Sequence, residues 1–162
     1  MKAQRWSALV FSLCLAACSQ SAESEHSETD AESAEFVGCP ETIPPFELGM
    51  SVSSSDGRIQ AALVRAVPSP PAKFFNDWTV KFTGADAADL DDLTLQSARA
   101  FMPVHGHYGK PDPKLTVHDD EPAVVDLDDV NLFMRGPWEV TLSVTSLSAG
   151  DADLVFHVCV EE

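Results

Sequence analysis

The feature that most constrains the fold is a strict alternation of apolar and polar side chains close to the C-terminus. In residues 138–145 every even position is Trp, Val or Leu and every odd position is Glu, Thr or Ser. Successive side chains of a strand point to opposite faces, so this pattern predicts a strand with one buried and one solvated face. Residues 153–160 repeat the pattern with Leu154, Phe156, Val158 and Val160 on the apolar face.

Related patterns elsewhere predict further strands, and no segment carries a convincing helical stripe. The apolar run of Phe74, Trp78, Val80 and Phe82 predicts one of these strands. The others are expected at 59–67, 93–101, 115–118 and 124–134, separated by turn signals rich in Gly, Pro and Asp. Strands of this length and spacing predict a single antiparallel, immunoglobulin-like β-sandwich of about seven strands. This all-β domain is expected to occupy residues 39–162.

The N-terminus has the order of features found in an export signal. Basic residues precede an apolar stretch at 6–17, which is too short for a permanent membrane span. Leu15-Ala16-Ala17-Cys18 then resembles the cleavage site of bacterial lipoproteins, which predicts a signal peptide at 1–17 and an acylated Cys18. The alternative is an ordinary signal peptide with a chance cysteine.

The segment after Cys18 predicts a tether. Residues 18–38 contain six acidic residues and no Lys or Arg, and no large apolar side chain precedes Phe36. Such a composition cannot offset the entropy of chain ordering, so we expect a disordered linker between the lipid and the domain. Ser19 stands where an aspartate usually marks inner-membrane retention, which favours a periplasm-facing protein on the outer membrane.

Charge excludes one class of partner. Residues 39–162 contain eight basic and twenty acidic residues, and the whole chain has a net charge of -16. Such a surface repels nucleic acid and anionic lipid, so we expect no nucleic-acid partner. Membrane attachment is expected through the N-terminal lipid, and cationic or metallic partners suit this charge.

Two cysteines remain for the domain, since Cys14 lies in the signal peptide and Cys18 would carry lipid. Cys39 and Cys159 stand at opposite ends of the domain, and an oxidising periplasm favours a disulfide between them. Cys39 precedes the first predicted strand, which indicates a terminal bridge rather than one between the two sheets. A pair of metal-binding thiolates is the alternative, although the close spacing typical of such sites is missing.

Two segments suggest metal chemistry. Met102 is followed by His105 and His107, and Met134 ends another predicted strand. If the sandwich runs up and down, the strands ending at Phe101 and Met134 finish at the same end, so the four side chains would converge. Thioethers and imidazoles together suit copper, with Met favouring Cu(I). The alternative is that the methionines fill the core and the histidines are ordinary loop residues.

At the same residues the chain resembles the YtkA-like domain family. The similarity lies in the Met-Pro-x-His-x-His segment at 102–107, in the Met-x-Gly-x-Trp-x-Val segment at 134–140 and in the strand that contains Trp78 and Val80. The resemblance implies a small periplasmic β-sandwich, often on lipoproteins or beside metal-handling proteins. It implies no particular biochemical role.

No motif indicates catalysis. The sequence lacks a Gly-x-Ser-x-Gly elbow, a His-Glu-x-x-His helix and a phosphate-binding loop, and pairing of the cysteines would leave no free thiol. We therefore interpret the chain as a non-enzyme. A metal-binding module is one hypothesis, and an accessory or protein-interaction module of the cell envelope is the other.

Overall fold

The computed structural model describes residues 38–161. The predicted signal peptide at 1–17 and Cys18 lie outside the described residues, as does the acidic segment apart from Gly38, so their interpretation stays a prediction. In the part of the chain that is described, no helix is long and apolar enough to cross a membrane.

The described residues fold into nine strands. They are β1 (Ser51–Ser53), β2 (Ile59–Val67), β3 (Phe74–Gly84), β4 (Leu93–Met102), β5 (His107–Tyr108), β6 (Lys114–His118), β7 (Glu121–Leu132), β8 (Gly136–Ser146) and β9 (Gly150–Val160). The seven strands expected from the sequence correspond to β2–β4 and β6–β9. The short strands β1 and β5 were not predicted.

The strands form two antiparallel sheets, which confirms the predicted β-sandwich. One sheet has five strands in the order β1-β2-β3-β7-β6, and the other has four in the order β5-β4-β8-β9. Their inner faces supply the core, where the ring of Trp78 on β3 meets that of Phe156 on β9 edge-on at 6.3 Å. The alternation on β8 has the predicted orientation, because Trp138, Val140 and Leu142 are fully buried.

The sandwich has two ends with different loops. Residues 133–135 join β7 of one sheet to β8 of the other, so both sheets share the end at which Leu132 and Gly136 lie. We call it the histidine end, and its loops are 68–73, 103–106, 109–113 and 133–135. The opposite, aspartate end contains the loops 54–58, 85–92, 119–120 and 147–149.

The disulfide predicted from the sequence is present at the histidine end. Cys39 is bonded to Cys159 with a Cα–Cα distance of 5.7 Å. Cys39 precedes β1, while Cys159 pairs with Pro137 at the start of β8, so the bridge joins the termini of the domain as expected. A bond that closes a loop of 120 residues stabilises the fold by about 4 to 5 kcal/mol on the chain-entropy account.

One expected core residue is not in the core. Phe74, placed by sequence with the apolar face of its strand, is 57% exposed and has a φ of 75°. That left-handed conformation costs a bulky residue about 1 to 3 kcal/mol. It rotates Phe74 out of the alternation, which resumes at the fully buried Asn76. The expected inward position of Phe74 is therefore wrong.

Candidate functional site

The hairpin between β4 and β5 positions the predicted histidines. Met102 and His107 are directly opposed in the antiparallel pair, and the turn closes through a 2.9 Å hydrogen bond from the Gly106 amide to the Met102 carbonyl. Gly106 has a φ of 65°, which glycine adopts without steric cost. The Met-Pro-x-His-Gly-His segment thus forms a tight turn with a histidine on each side of its glycine.

The imidazoles of His105 and His107 lie close together. Their ring centroids are 6.2 Å apart and their planes are inclined by only 14°. His107 also lies 6.3 Å from the ring of Phe133, which follows β7. The two sequence segments singled out above therefore meet in space, as predicted from strand parity.

Phe133 and Trp138 connect the histidines to the core. Their rings are 5.4 Å apart at an angle of 73°, and the indole Nε1 of Trp138 donates a 3.0 Å hydrogen bond to the Met134 carbonyl. Trp138 is fully buried, so it fixes the 133–135 loop to the interior. The spacing Met-x-Gly-x-Trp reflects this arrangement, because the tryptophan reaches back to the loop that precedes its own strand.

The two predicted methionines occupy different environments. Met102 is completely buried in the core cluster, whereas Met134 is half-buried and packs against its edge. Met102 lies opposite His107, and Met134 follows the phenylalanine that His107 contacts. The structure thus brings His105 and His107 together, with Met102 beneath the hairpin and Met134 in the adjacent loop.

Gly109 attaches the hairpin to the other sheet, a role that sequence reasoning missed. A Cβ atom at Gly109 would overlap the backbone carbonyl oxygen of Asn131, so only glycine permits this approach. The Gly109 amide donates a 2.9 Å bond to the Ala100 carbonyl, and the Asn131 side-chain amide donates a 2.6 Å bond to the Lys110 carbonyl. The sequence marked Gly109 only as part of a turn signal between the strands predicted at 93–101 and 115–118.

The remaining histidines of the domain lie apart from this cluster. The Nε2 of His118 is 2.9 Å from a carboxylate oxygen of Asp126, and the Nδ1 of His157 is 3.9 Å from Glu139. A hydrogen bond from the Thr79 hydroxyl lowers the pKa of Asp126, and His118 adds to this effect. Within residues 38–161 no group of three His, Cys, Asp or Glu side chains is arranged to hold a metal ion. A metal at His105 and His107 would therefore need thioether ligands as well.

Carboxylates at the aspartate end are engaged by nearby donors. Asp92 accepts a 2.7 Å bond from the Ser146 hydroxyl and a 2.8 Å bond from the Ser148 amide. These bonds lower the pKa of Asp92 because they favour its charged form. Similarly, a hydrogen bond from the Ser54 hydroxyl, with contributions from Arg58, lowers the pKa of Asp56.

A cavity of about 620 Å³ lies at the histidine end beside the disulfide. Its walls are mainly apolar and include Pro44, Pro45, Phe46, Pro68, Pro70 and Pro71. Ser69 and Glu161 supply polar atoms to the lining. The loop that forms one wall continues directly into the exposed Phe74.

Comparisons with protein-family models, with curated proteins and with solved structures found no match. The resemblance to the YtkA-like family therefore stays a prediction.

Proposed function

We propose that this chain is a lipoprotein, anchored through an acylated Cys18, whose β-sandwich binds copper at the histidine end. The ligands are His105 and His107, with Met102 and Met134 as thioether donors. In this proposal the protein is not an enzyme, and it faces the periplasm from the outer membrane. The tight hairpin that stacks the two imidazoles 6.2 Å apart is the observation that carries the metal assignment.

The chemistry of these side chains supports copper over harder cations. Imidazole binds copper in either oxidation state, and thioether sulfur favours Cu(I). Ca²⁺ and Mg²⁺ prefer oxygen ligands, which the 102–107 hairpin does not offer from its side chains. Met102 is paired with His107 but is fully buried, so its thioether would join a metal only after a change of rotamer.

A competition titration tests the metal assignment. The chain from Ser19 onwards is titrated with Cu(I) or Cu(II) against a chelator of known affinity. We expect binding of one equivalent that His105→Ala or His107→Ala abolishes, and that Met102→Leu weakens for Cu(I) more than for Cu(II). His157→Ala is the matched control, because it removes an exposed imidazole on a different strand. Absence of binding, or binding that survives the hairpin substitutions, contradicts the copper proposal.

The lipid anchor is tested separately. The mature protein should begin at Cys18 and partition into detergent, because several acyl chains on one residue anchor a protein stably. Cys18→Ala should leave the precursor uncleaved or release the protein. Recovery of the wild type as an unlipidated periplasmic protein contradicts this part of the proposal.

A second candidate function is that of an accessory module that contacts another component of the envelope without metal. The observation that favours it is the exposure of Phe74 and Phe75, at 57% and 53%. Two adjacent exposed phenylalanines are a feature of interaction surfaces. This reading becomes the preferred one if the copper titration is negative.

A further inference from the structure

Exposed aromatic side chains are concentrated at the histidine end. Phe74 and Phe75 begin β3 there, and the half-exposed Tyr108 lies in β5, which follows the 103–106 loop of the same end. Phe74 is held in the left-handed region of backbone conformation, which L side chains rarely adopt. Folding alone does not require an exposed phenylalanine at this position, because glycine would adopt the same φ without steric cost.

The buried Asn76 maintains this conformation. Its side-chain oxygen accepts a 3.0 Å bond from the Ala72 amide. Its side-chain nitrogen donates to the carbonyls of Ala72, at 2.9 Å, and of Phe74, at 3.0 Å. We call residues 72–76 the corner. Because the fully buried amide of Asn76 forms hydrogen bonds on both sides of Phe74's neighbour Lys73, it fixes the backbone of the corner and keeps the rings of Phe74 and Phe75 exposed.

The loops of the two ends differ in charge. Those of the histidine end carry Lys73, Lys110 and Arg135 against the single acidic residue Asp112. Those of the aspartate end carry only Arg58 against seven aspartates. The terminal segments, which line the cavity at the histidine end, add Glu41, Glu47 and Glu161 to that end, so it carries three basic and four acidic residues. The acidity that the sequence spreads over the whole chain is thus strongest at the end away from the phenylalanines.

We infer that the histidine end docks on the headgroup surface of a phospholipid bilayer, with Phe74 and Phe75 at the contact. The chain enters the domain at Gly38 and Cys39, and the disulfide places this entry point at the same end. A lipid attached upstream of Cys39 would therefore tether the domain by this end, and not by the aspartate end. The inference rests on the proposed lipid anchor for this proximity.

The chemistry of the corner suits a bilayer. The Lys73 ammonium lies 5.3 Å from the centre of the Phe74 ring, so a cation accompanies the aromatic side chain as it does in interfacial membrane contacts. The aspartate end would be directed away from anionic headgroups. Because a tether holds the domain at an effective concentration of about millimolar, weak affinity is sufficient for docking.

Vesicle co-sedimentation tests the inference without lipidation and without metal, so its outcome is independent of the titration and anchoring experiments. The chain from Ser19 to Glu162 lacks Cys18 but retains every described strand, the core and the disulfide. It is mixed at millimolar lipid with vesicles of phosphatidylethanolamine and phosphatidylglycerol, or of phosphatidylcholine alone. We expect binding to both vesicles to a similar extent, because the basic residues of the histidine end are balanced by Asp112 and by the glutamates of the terminal segments.

Substitutions then locate the contact. Phe74→Gly combined with Phe75→Ser should lower the partition coefficient about tenfold, since two exposed aromatic rings are lost. Glycine adopts the φ of residue 74 freely, so this variant should keep its fold and melting temperature. Leu147→Ser is the matched control, because Leu147 is 92% exposed but lies at the aspartate end; it should bind as the wild type does.

Three results would overturn the inference. The first is a wild-type chain that fails to sediment with either vesicle. The second is unchanged binding by the double variant, or an equal loss in Leu147→Ser. The third is concentration-dependent self-association that the double variant loses while it keeps its vesicle binding. That result would assign the surface to contact with a second copy of the chain.

Discussion

The two ends of the sandwich differ in whether their characteristic side chains are engaged in hydrogen bonds within the domain. At the aspartate end, Asp92 is bonded to Ser146 and Ser148, and the Asp56 carboxylate accepts a bond from the Ser54 hydroxyl. These carboxylates close turns, so folding alone accounts for them. At the histidine end, the stacked imidazoles and the exposed phenylalanines leave surface available to other molecules. The contrast favours the proposals that place the binding surface at the histidine end, which the disulfide and Asn76 also stabilise.

Loss of the disulfide should have the largest effect on stability, and it tests the comparison between the two ends. Cys39→Ser together with Cys159→Ser should lower the free energy of unfolding by about 4 to 5 kcal/mol, because the unfolded chain is no longer cross-linked. Guanidinium unfolding measures the loss. Hydrogen exchange should show that amides of the histidine end lose protection first. Equal loss of protection in the 147–149 hairpin would contradict the idea that the bridge serves one end.

Substitution of Asn76 should have the next largest effect. Asn76→Ala leaves part-buried backbone groups at Ala72 and Phe74, and the buried carbonyl of Val130, without their side-chain partner, which should cost about 2 to 3 kcal/mol. Thermal or denaturant unfolding measures this cost. Phe74→Gly is the control at the same corner and should stay within about 1 kcal/mol of the wild type, since it relieves the positive φ. A larger loss in Phe74→Gly than in Asn76→Ala would show that the ring, rather than the amide, holds the corner.

The smallest expected effect concerns pH dependence at the aspartate end. Hydrogen bonds from Ser146 and Ser148 keep the pKa of Asp92 below its usual value near 3.9 in the folded protein. The stabilisation is therefore complete above about pH 4 and is lost as the pH falls through the folded pKa. Asp92→Asn should flatten the decrease of unfolding free energy below that pH. Asp91→Asn is the control, because it leaves both serines hydrogen-bonded to Asp92. Its unfolding free energy should decrease with falling pH as steeply as that of the wild type.

Most of the fold followed from alternation and cysteine position. The period-two pattern at 138–145 identified β8 because a half-buried strand leaves that pattern whatever its neighbours are. Cys39 and Cys159 could be paired because only two cysteines remained for the domain. The meeting of the two candidate segments also followed from strand parity, and the 6.3 Å contact between His107 and Phe133 confirms it.

The missed features depend on individual contacts that a pattern of apolar and polar residues does not show. β5 has two residues, too few to show a period, and it is followed at once by the close approach of Gly109 to Asn131. Phe74 looked like a core residue because its outward rotation depends on hydrogen bonds from Asn76. Sequence likewise could not show that Met102 would be fully buried while Met134 stayed at the edge of the core, because strand parity places both at one end without fixing their depth.

The position of the disulfide also determines how the domain bears mechanical load. A pull on the chain before Cys39 passes through the bridge to Cys159 and thus to β9, which is paired with β8 along its whole length. The three-residue strand β1, which would otherwise be the first element under tension, is bypassed. With the bridge intact the force acts on a strand with eleven cross-strand pairs, whereas with a reduced bridge it acts first on β1, which has three. The disulfide therefore determines which strand bears the load where the chain enters the domain.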